Sequence, residues 1–210
     1  MAPIERWPIR MSMHEPMSKV DTAWLRMERP TNLMMITGVI VLEHALDVAV
    51  LKRTVEARFL SFRRFQQRPI ELSGQWFWEI DENFDINWHV RRAALPAPAG
   101  KAELQEYVSN LASSPLDQSK PMWQFHLIEN YNGGGALVIR VHHCYADGIA
   151  LVQVMLSLHD TSPHAKHDEP HPPEKLKRSG GTVFERLLAP ARHQVENAVG
   201  LVEAALHKTF

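Results

Sequence analysis

The sequence predicts a layered fold of the α/β or α+β class, in which helices flank a mixed β-sheet. Three observations support this prediction. Strand-like apolar runs and amphipathic helical segments are both present, they follow one another without strict β–α–β alternation, and no internal repeat occurs. The 210 residues can form one domain with a substantial core, because 45% of them are hydrophobic and 22% are charged.

The first third of the chain is predicted to contain a leader, a short helix, a strand and a longer helix. Residues 1–16 contain three prolines and no periodicity, which indicates an irregular leader. A short helix is expected from about Asp21 and is ended by Pro30, and the β-branched apolar run 33–43 predicts a buried strand. Asp47 precedes an amphipathic helix whose apolar residues recur at helical spacing: Leu46, Val50, Leu51, Val55, Phe59 and Phe62.

The middle of the chain predicts strands around a second amphipathic helix. Short strands are expected at residues 74–80 and 84–92, and the helix is expected at residues 101–113. Two further strands, Met122 to Glu129 and Ala136 to His143, are joined by Asn-Tyr-Asn-Gly-Gly-Gly, which is typical of a hairpin connection.

The last part of the chain predicts a buried helix, a linker and a further helix. Residues 148–158 contain only two polar side chains, so we expect them to form a helix in the core. Four prolines and three histidines in residues 161–181 indicate a linker. This linker would separate an N-terminal domain, residues 1–160, from an amphipathic helix in residues 182–210, with a kink expected at Pro190.

Composition and charge exclude several classes of function. The net charge of −1 provides no basic field for nucleic acid. Cys144 is the only cysteine, so no internal disulfide can form, and we expect a small buried thiol in a cytoplasmic protein. We expect no secretory signal in the first thirty residues, and no apolar run reaches the ~18 residues of a membrane span. Contact with a membrane surface or a lipid inclusion stays open, through the basic residues 175–178 or the final helix.

The segment His-His-Cys-Tyr-Ala-Asp-Gly, residues 142–148, places two imidazoles and a carboxylate between apolar segments. Burying polar side chains costs free energy unless they find partners, so this segment has either a structural or a chemical purpose. Because side chains alternate across a strand, His143 should end the aliphatic row Leu137, Ile139 and Val141. His142 should point to the opposite face with Arg140. The two histidines are therefore not expected to act as a pair.

Three interpretations of this segment remain open from the residues alone. In the first, both histidines are structural and Asp147 caps the helix that starts at Gly148. In the second, His142, His143 and Asp147 bind a metal, although strand alternation opposes their convergence and no further histidine and aspartate set has matching spacing. In the third, one histidine is a general base in an apolar channel, which is worth about 10²–10⁴ in rate.

The segment has the HHxxxDG form of the chloramphenicol-acetyltransferase-like acyltransferases. Three further stretches resemble one branch of that group, the bacterial wax ester synthase/diacylglycerol acyltransferase family: residues 16–43, residues 84–100, and residues 114–129, which read SPLDQSKPMWQFHLIE. Condensation domains of peptide synthetases share HHxxxDG, but the four matches in the family's order, from about Met17 to Leu158, are more specific. The resemblance implies one half of a chloramphenicol-acetyltransferase-like fold.

The resemblance also implies a role for each motif residue. His143 would be the general base that takes the proton from a fatty alcohol or diacylglycerol hydroxyl as it attacks the thioester of acyl-CoA, with no acyl-enzyme and no cofactor. Asp147 would hold the loop through a cation, Gly148 would leave room at the turn, and His142 would support the geometry from the other face. Structural motif positions are implied for Pro115, Leu116, Asp117 and Trp123.

The family has a second half of similar size, with the active site in a tunnel between the halves, and the motifs of that half are absent here. We therefore expect this chain to need a C-terminal half-domain as a partner, or to be a shortened member. Lys120 stands where the family has arginine, and Gln124 replaces its usual acid. Two alternatives stay open: a condensation-domain-like acyltransferase, and a non-catalytic lipid-binding half-domain that needs a partner.

Overall fold

The computed structural model describes residues 14–145 and 148–158. All of them belong to Met1–Pro173, the first of two units into which the chain divides; the second unit is Glu174–Phe210. The predicted linker, the predicted helix in residues 182–210 and Asp147 lie outside the described residues.

The described part of the chain contains strands and α-helices in mixed order. They are β1 (Glu15–Pro16), α1 (Lys19–Met27), β2 (Met35–Leu42), α2 (Val48–Thr54), β3 (Gln67–Leu72), β4 (Gln75–Ile80), α3 (Ile86–His89), β5 (Val90–Ala93), α4 (Lys101–Ala112), β6 (Trp123–Ile128), β7 (Gly135–His142) and α5 (Gly148–Ser157). A π-helical turn, Val55–Phe59, continues α2, and a 3₁₀ turn, His143–Tyr145, follows β7.

Local capping signals explain why the first predicted helices are confirmed. The Ser18 hydroxyl accepts the Asp21 amide at 3.0 Å, so α1 begins two residues before the predicted start. The Asp47 carboxylate accepts the Ala49 amide at 2.6 Å and caps α2. The strands predicted at residues 33–43, 74–80 and 122–129, and the helices at 101–113 and 148–158, are confirmed with small shifts at their ends. The burial predicted for two of them is wrong: β2 is an edge strand with Val39 and Val41 exposed, and α5 exposes Val152 and Leu156.

Two local predictions are wrong, and one strand was missed. Residues 84–92 begin as helix α3, because Asp85 accepts the Asn87 amide at 2.9 Å and caps it. Glu15 and Pro16 form β1 rather than irregular leader, and β3 was not predicted at all. The strand predicted at residues 136–143 is confirmed as β7, which begins and ends one residue earlier.

The strands form two sheets. The four-stranded sheet has the order β2-β7-β6-β5, with β5 parallel to β6 and the other pairs antiparallel. The three-stranded sheet has the order β1-β4-β3 and is antiparallel. Ser73 and Gly74, with φ of 51° and 80°, join β3 to β4 in a two-residue turn whose left-handed backbone matches the twist of a hairpin.

The two faces of β7 contact different clusters, as the predicted alternation requires. Leu137, Ile139 and Val141 belong to the main core, where α2 and its π-helical turn cover the sheet. In that core the Phe59 ring centroid lies 4.7 Å from Trp123 and 5.1 Å from Phe125. On the other face, Ala136 and Val138 pack with a smaller cluster that includes residues of α4. Both faces of β7 are therefore buried, and its C-terminal end is held in place by packing.

Candidate active site

Backbone hydrogen bonds hold the C-terminal end of β7 on both sides, at His142 and at His143. The His142 amide donates to the Met122 carbonyl at 3.0 Å, and the His143 amide donates to the Met34 carbonyl at 2.9 Å. His142 is the last residue of β7, and His143 starts the 3₁₀ turn. Because of this change in backbone conformation, the two rings have different surroundings.

The His142 ring is 1% exposed, and a protein group lies close to each of its nitrogens. Nδ1 accepts the Cys144 amide at 3.1 Å, so the proton of the neutral ring lies on Nε2. Nε2 lies 2.8 Å from Oε2 of Glu28, an ion-pair contact whose angle does not meet hydrogen-bond geometry. Burial lowers the pKa of His142, against the opposing effect of the Glu28 charge. The ring is therefore neutral at pH 7 and occupied by protein contacts on both sides.

The His143 ring stacks on Trp24, with centroids 4.6 Å apart and an interplanar angle of 20°. The side chain is partly buried, and this burial lowers its pKa from 6.5. Among the described residues, neither ring nitrogen has a hydrogen-bond partner. A neutral imidazole with a free lone pair can accept a proton from a hydroxyl. The sequence predicted an aliphatic surrounding for this ring, but its structural neighbour is aromatic.

Helix α1 brings one side chain to each histidine. Trp24 and Glu28 are four residues apart, so they lie on the same face of the helix. Trp24 contacts His143 and Glu28 contacts His142. Sequence reasoning missed both residues. Their spacing was a usable signal, but only the tertiary packing of α1 against the 3₁₀ turn identifies what that face contacts.

The other two residues of the 3₁₀ turn fix it to the rest of the fold. The Tyr145 hydroxyl accepts the Met122 amide at 2.9 Å and donates to the Gln67 carbonyl at 2.7 Å. Cys144 is 1% exposed, which confirms the predicted small buried thiol. Burial raises the pKa of this thiol, so the reactive thiolate is not available.

The residues predicted as structural motif positions lie in the loop before β6 and at its start. Leu116 is buried, whereas Pro115 and Asp117 are exposed. The Asp117 carboxylate accepts the amide of Ser119 at 2.9 Å and its hydroxyl at 2.7 Å, which closes a turn and lowers the pKa of Asp117. Trp123 is fully buried and donates its indole N–H to the Phe65 carbonyl at 2.8 Å. These contacts fix the conformation of the loop before β6 and the position of the first residue of β6.

The two departures from the family pattern have different surroundings. Lys120 lies over the Trp88 ring, 5.5 Å from its centroid, at the surface. The Gln124 amide oxygen accepts Nη1 of Arg140 at 3.0 Å. Arg140 is 3% exposed, and no carboxylate pairs with it in the part of the chain that the structure describes. Nη2 donates to the Ser114 carbonyl, and Nε has no hydrogen-bond partner among the described residues, so the buried charge is only partly satisfied, and by neutral groups.

The remaining predicted positions have limited structural description. Gly148 is the first residue of α5, and Asp147 lies outside the described residues. Within residues 14–145 and 148–158, no group of three or more histidine, cysteine, aspartate or glutamate side chains is placed to hold a metal ion. In the same part of the chain, no helix is long and apolar enough to cross a bilayer.

The chain matches the model of the wax ester synthase/diacylglycerol acyltransferase catalytic domain over residues 17–209. A Mycobacterium bovis protein provisionally named a diacylglycerol O-acyltransferase is 33% identical over 167 residues, which cover 74% of this chain and 32% of that protein. Another protein provisionally given that name, from Mycobacterium tuberculosis, is 30% identical over 145 residues, which cover 66% of this chain and 54% of that protein.

Solved structures give the same result. The wax ester synthase/diacylglycerol acyltransferase from Marinobacter aquaeolei VT8 has a TM-score of 0.55 and 32% identity, over 66% of this chain and 36% of that chain. The starter condensation domain of rhizomide synthetase has a TM-score of 0.60 over 70% of this chain and 36% of that one; at 18% identity this likeness concerns the fold, which is chloramphenicol-acetyltransferase-like. The chain spans about a third of the length of three of these four relatives. The chain therefore belongs to the wax ester synthase/diacylglycerol acyltransferase family.

Proposed function

We propose that this chain provides the general-base half of an acyl-CoA-dependent O-acyltransferase site that esterifies a long-chain alcohol or a diacylglycerol. The observation that carries the proposal is the state of His143: it is neutral, partly buried, stacked on Trp24, and free at both ring nitrogens among the described residues. Membership of the family and the names of the mycobacterial and Marinobacter relatives supply the acyl-transfer chemistry and the two acceptor classes.

The proposed step is a direct transfer. A ring nitrogen of His143 takes the proton of the acceptor hydroxyl while the oxygen attacks the thioester carbonyl. The tetrahedral intermediate then collapses, the C–S bond breaks, and the imidazolium returns the proton to the sulfur, which gives an ester and free CoA. General-base assistance of this kind is worth about 10²–10⁴ in rate, or roughly 3–5 kcal/mol of barrier.

An acyl-enzyme is not needed, and the thiol nearest in sequence to the base is unsuited to form one. Cys144 is buried and its pKa is raised, so it cannot act as a thiolate nucleophile. Both substrates must instead be held together in one complex, where orientation supplies much of the remaining acceleration. We propose that a C-terminal half-domain completes the substrate tunnel, since the relatives named above are longer than this chain.

A transfer assay tests this function. A long-chain acyl-CoA is supplied with hexadecanol or with a diacylglycerol, and ester formation is measured for the chain alone and for the chain joined to the C-terminal half of a family member. We expect ester only from the joined protein, and His143→Ala should lower turnover by about 10²–10⁴-fold. The matched control is His44→Ala, because His44 is exposed in the loop between β2 and α2.

Two outcomes would refute the proposal. Turnover that survives His143→Ala in a folded variant would exclude this residue as the base. Tight binding of acyl chains without ester formation in either protein would instead indicate a non-catalytic lipid-binding domain.

A further inference from the structure

We infer that Glu28 is the positioning residue of the proposed base, because one of its carboxylate oxygens holds both the His142 ring and the backbone that fixes His143. The inference rests on the proposed function of His143 and identifies what keeps that ring in place. Neither the family match nor the similar proteins assign a role to this residue.

A single atom, Oε2 of Glu28, has two contacts. It lies 2.8 Å from Nε2 of His142, and it accepts the Met34 amide at 3.2 Å. The Met34 carbonyl in turn accepts the His143 amide at 2.9 Å. Glu28 is therefore connected directly to the first histidine and, through one residue of the chain, to the second.

The position of Glu28 in the helix fixes this oxygen. Glu28 is the C-cap of α1, and its own amide donates to the Leu25 carbonyl at 3.4 Å. Its side chain is 12% exposed, and no lysine or arginine pairs with it among the residues the structure describes. Only the Met34 contact has hydrogen-bond geometry, but the electrostatic attraction of a carboxylate for a nearby N–H is stronger in such a shielded place than in water. The contacts to His142 and Met34 therefore hold the end of α1 against the histidine turn.

The same helix fixes the second ring from its face. Trp24, one turn before Glu28, stacks on His143. The position of the His143 ring thus depends on two supports: the Trp24 stack and the backbone bond to Met34. Removing the Glu28 acceptor leaves the Met34 amide without its partner and weakens the second support. A displacement of about 1 Å at a catalytic base can lower turnover by about 10²-fold.

Two substitutions separate this positioning role from a purely structural one. Glu28→Gln keeps an acceptor oxygen for both donors, whereas Glu28→Leu fills a similar volume and accepts nothing. In the protein joined to its C-terminal half, we expect Glu28→Leu to lower kcat by about 10–100-fold while KM for acyl-CoA stays within about twofold. Glu28→Gln should stay within about threefold of the parent. Glu106→Leu is the control, because Glu106 is an exposed carboxylate on α4.

A spectroscopic measurement on the 210-residue chain gives a readout that is independent of turnover. Stacking on Trp24 should shift the carbon-bound ring protons of His143 upfield in the NMR spectrum. We expect Glu28→Gln to keep this shift and Glu28→Leu to reduce it. Glu28→Asp, whose side chain is one methylene shorter and cannot reach both partners, provides the same test if the leucine variant does not fold.

Two results would overturn the inference. One is a folded Glu28→Leu protein with unchanged kcat and an unchanged His143 shift. The other is a Glu28→Gln protein as impaired as Glu28→Leu, which would show that charge rather than hydrogen-bond acceptance matters. If no protein makes ester but the His143 shift responds as expected, the positioning role stands and the proposed function fails.

Discussion

His89 should make the stability of this protein fall between pH 7 and pH 5. Its ring is completely buried between Phe84 and Trp123, with centroid distances of 4.8 Å and 4.2 Å. Nδ1 lies 2.8 Å from the Trp123 carbonyl and donates to it, while Nε2 has no partner among the described residues. Burial lowers the pKa of His89 to about 4 from an ordinary 6.5.

The sign and size of the effect follow from that difference. Because the folded pKa is the lower one, the unfolded chain binds the proton more readily, and stability is lost as the pH falls from 6.5 towards 4. The full difference corresponds to about 3 kcal/mol, of which about 2 kcal/mol is lost between pH 7 and pH 5.

Urea unfolding at pH 7 and pH 5 measures this loss. His89→Gln keeps an N–H for the Trp123 carbonyl but cannot titrate. The variant should therefore lose about 2 kcal/mol less than the parent between the two pH values, even if it is less stable at pH 7. His44→Gln, at an exposed position, should lose as much as the parent. An equal loss for His89→Gln and the parent would refute the reasoning.

Three further predictions concern the site and the buried arginine. Trp24→Ala should lower turnover of the joined protein by about tenfold, since it removes the support of the His143 ring, whereas Trp24→Phe should keep most of it; equal rates would contradict the stacking role. The pKa of His143 is lowered, and the neutral form is the base, so the acid limb of kcat/KM should have its midpoint below pH 6.5; a midpoint above 6.5 would contradict this. Gln124→Glu should stabilise the protein at pH 7 by about 1–2 kcal/mol in urea unfolding, because a charged acceptor replaces a neutral one at Arg140; no gain would show that desolvation of the new carboxylate cancels it.

Local signals were sufficient for most of the helices and for the long strands. The caps Ser18 and Asp47 act within three residues, and the alternation along β7 placed Ile139 and Val141 on the face opposite Val138. The β3–β4 hairpin was missed because Pro69 interrupts β3, which made it an unlikely strand by sequence, although Ser73-Gly74 is a turn signal.

The contacts of Trp24 and Glu28 with the two histidines could not be predicted from local sequence patterns. Trp24 and Glu28 lie far from the histidines in sequence, and their roles depend on how α1 packs against the turn after β7. The same limit applies to His143, whose aromatic surrounding appears only when the strand ends at His142 and the backbone turns. Motif resemblance selected candidate residues, and packing determines what each one contacts.

The hydroxyl of Tyr145 joins the two sheets through the turn that carries His143. It bonds the Met122 amide beside β6 and the Gln67 carbonyl in β3, and its ring lies 4.9 Å from Trp78 of β4. Unfolding of the three-stranded sheet must break these contacts. We therefore expect this sheet and the 3₁₀ turn His143–Tyr145 to unfold as one cooperative unit. Amides of β3 and β4 and those of residues 143–145 should then exchange with solvent at similar rates. Proteolytic cleavage at Ser73–Gly74 would therefore lower the stability of the turn that carries His143, although no residue of that turn is altered.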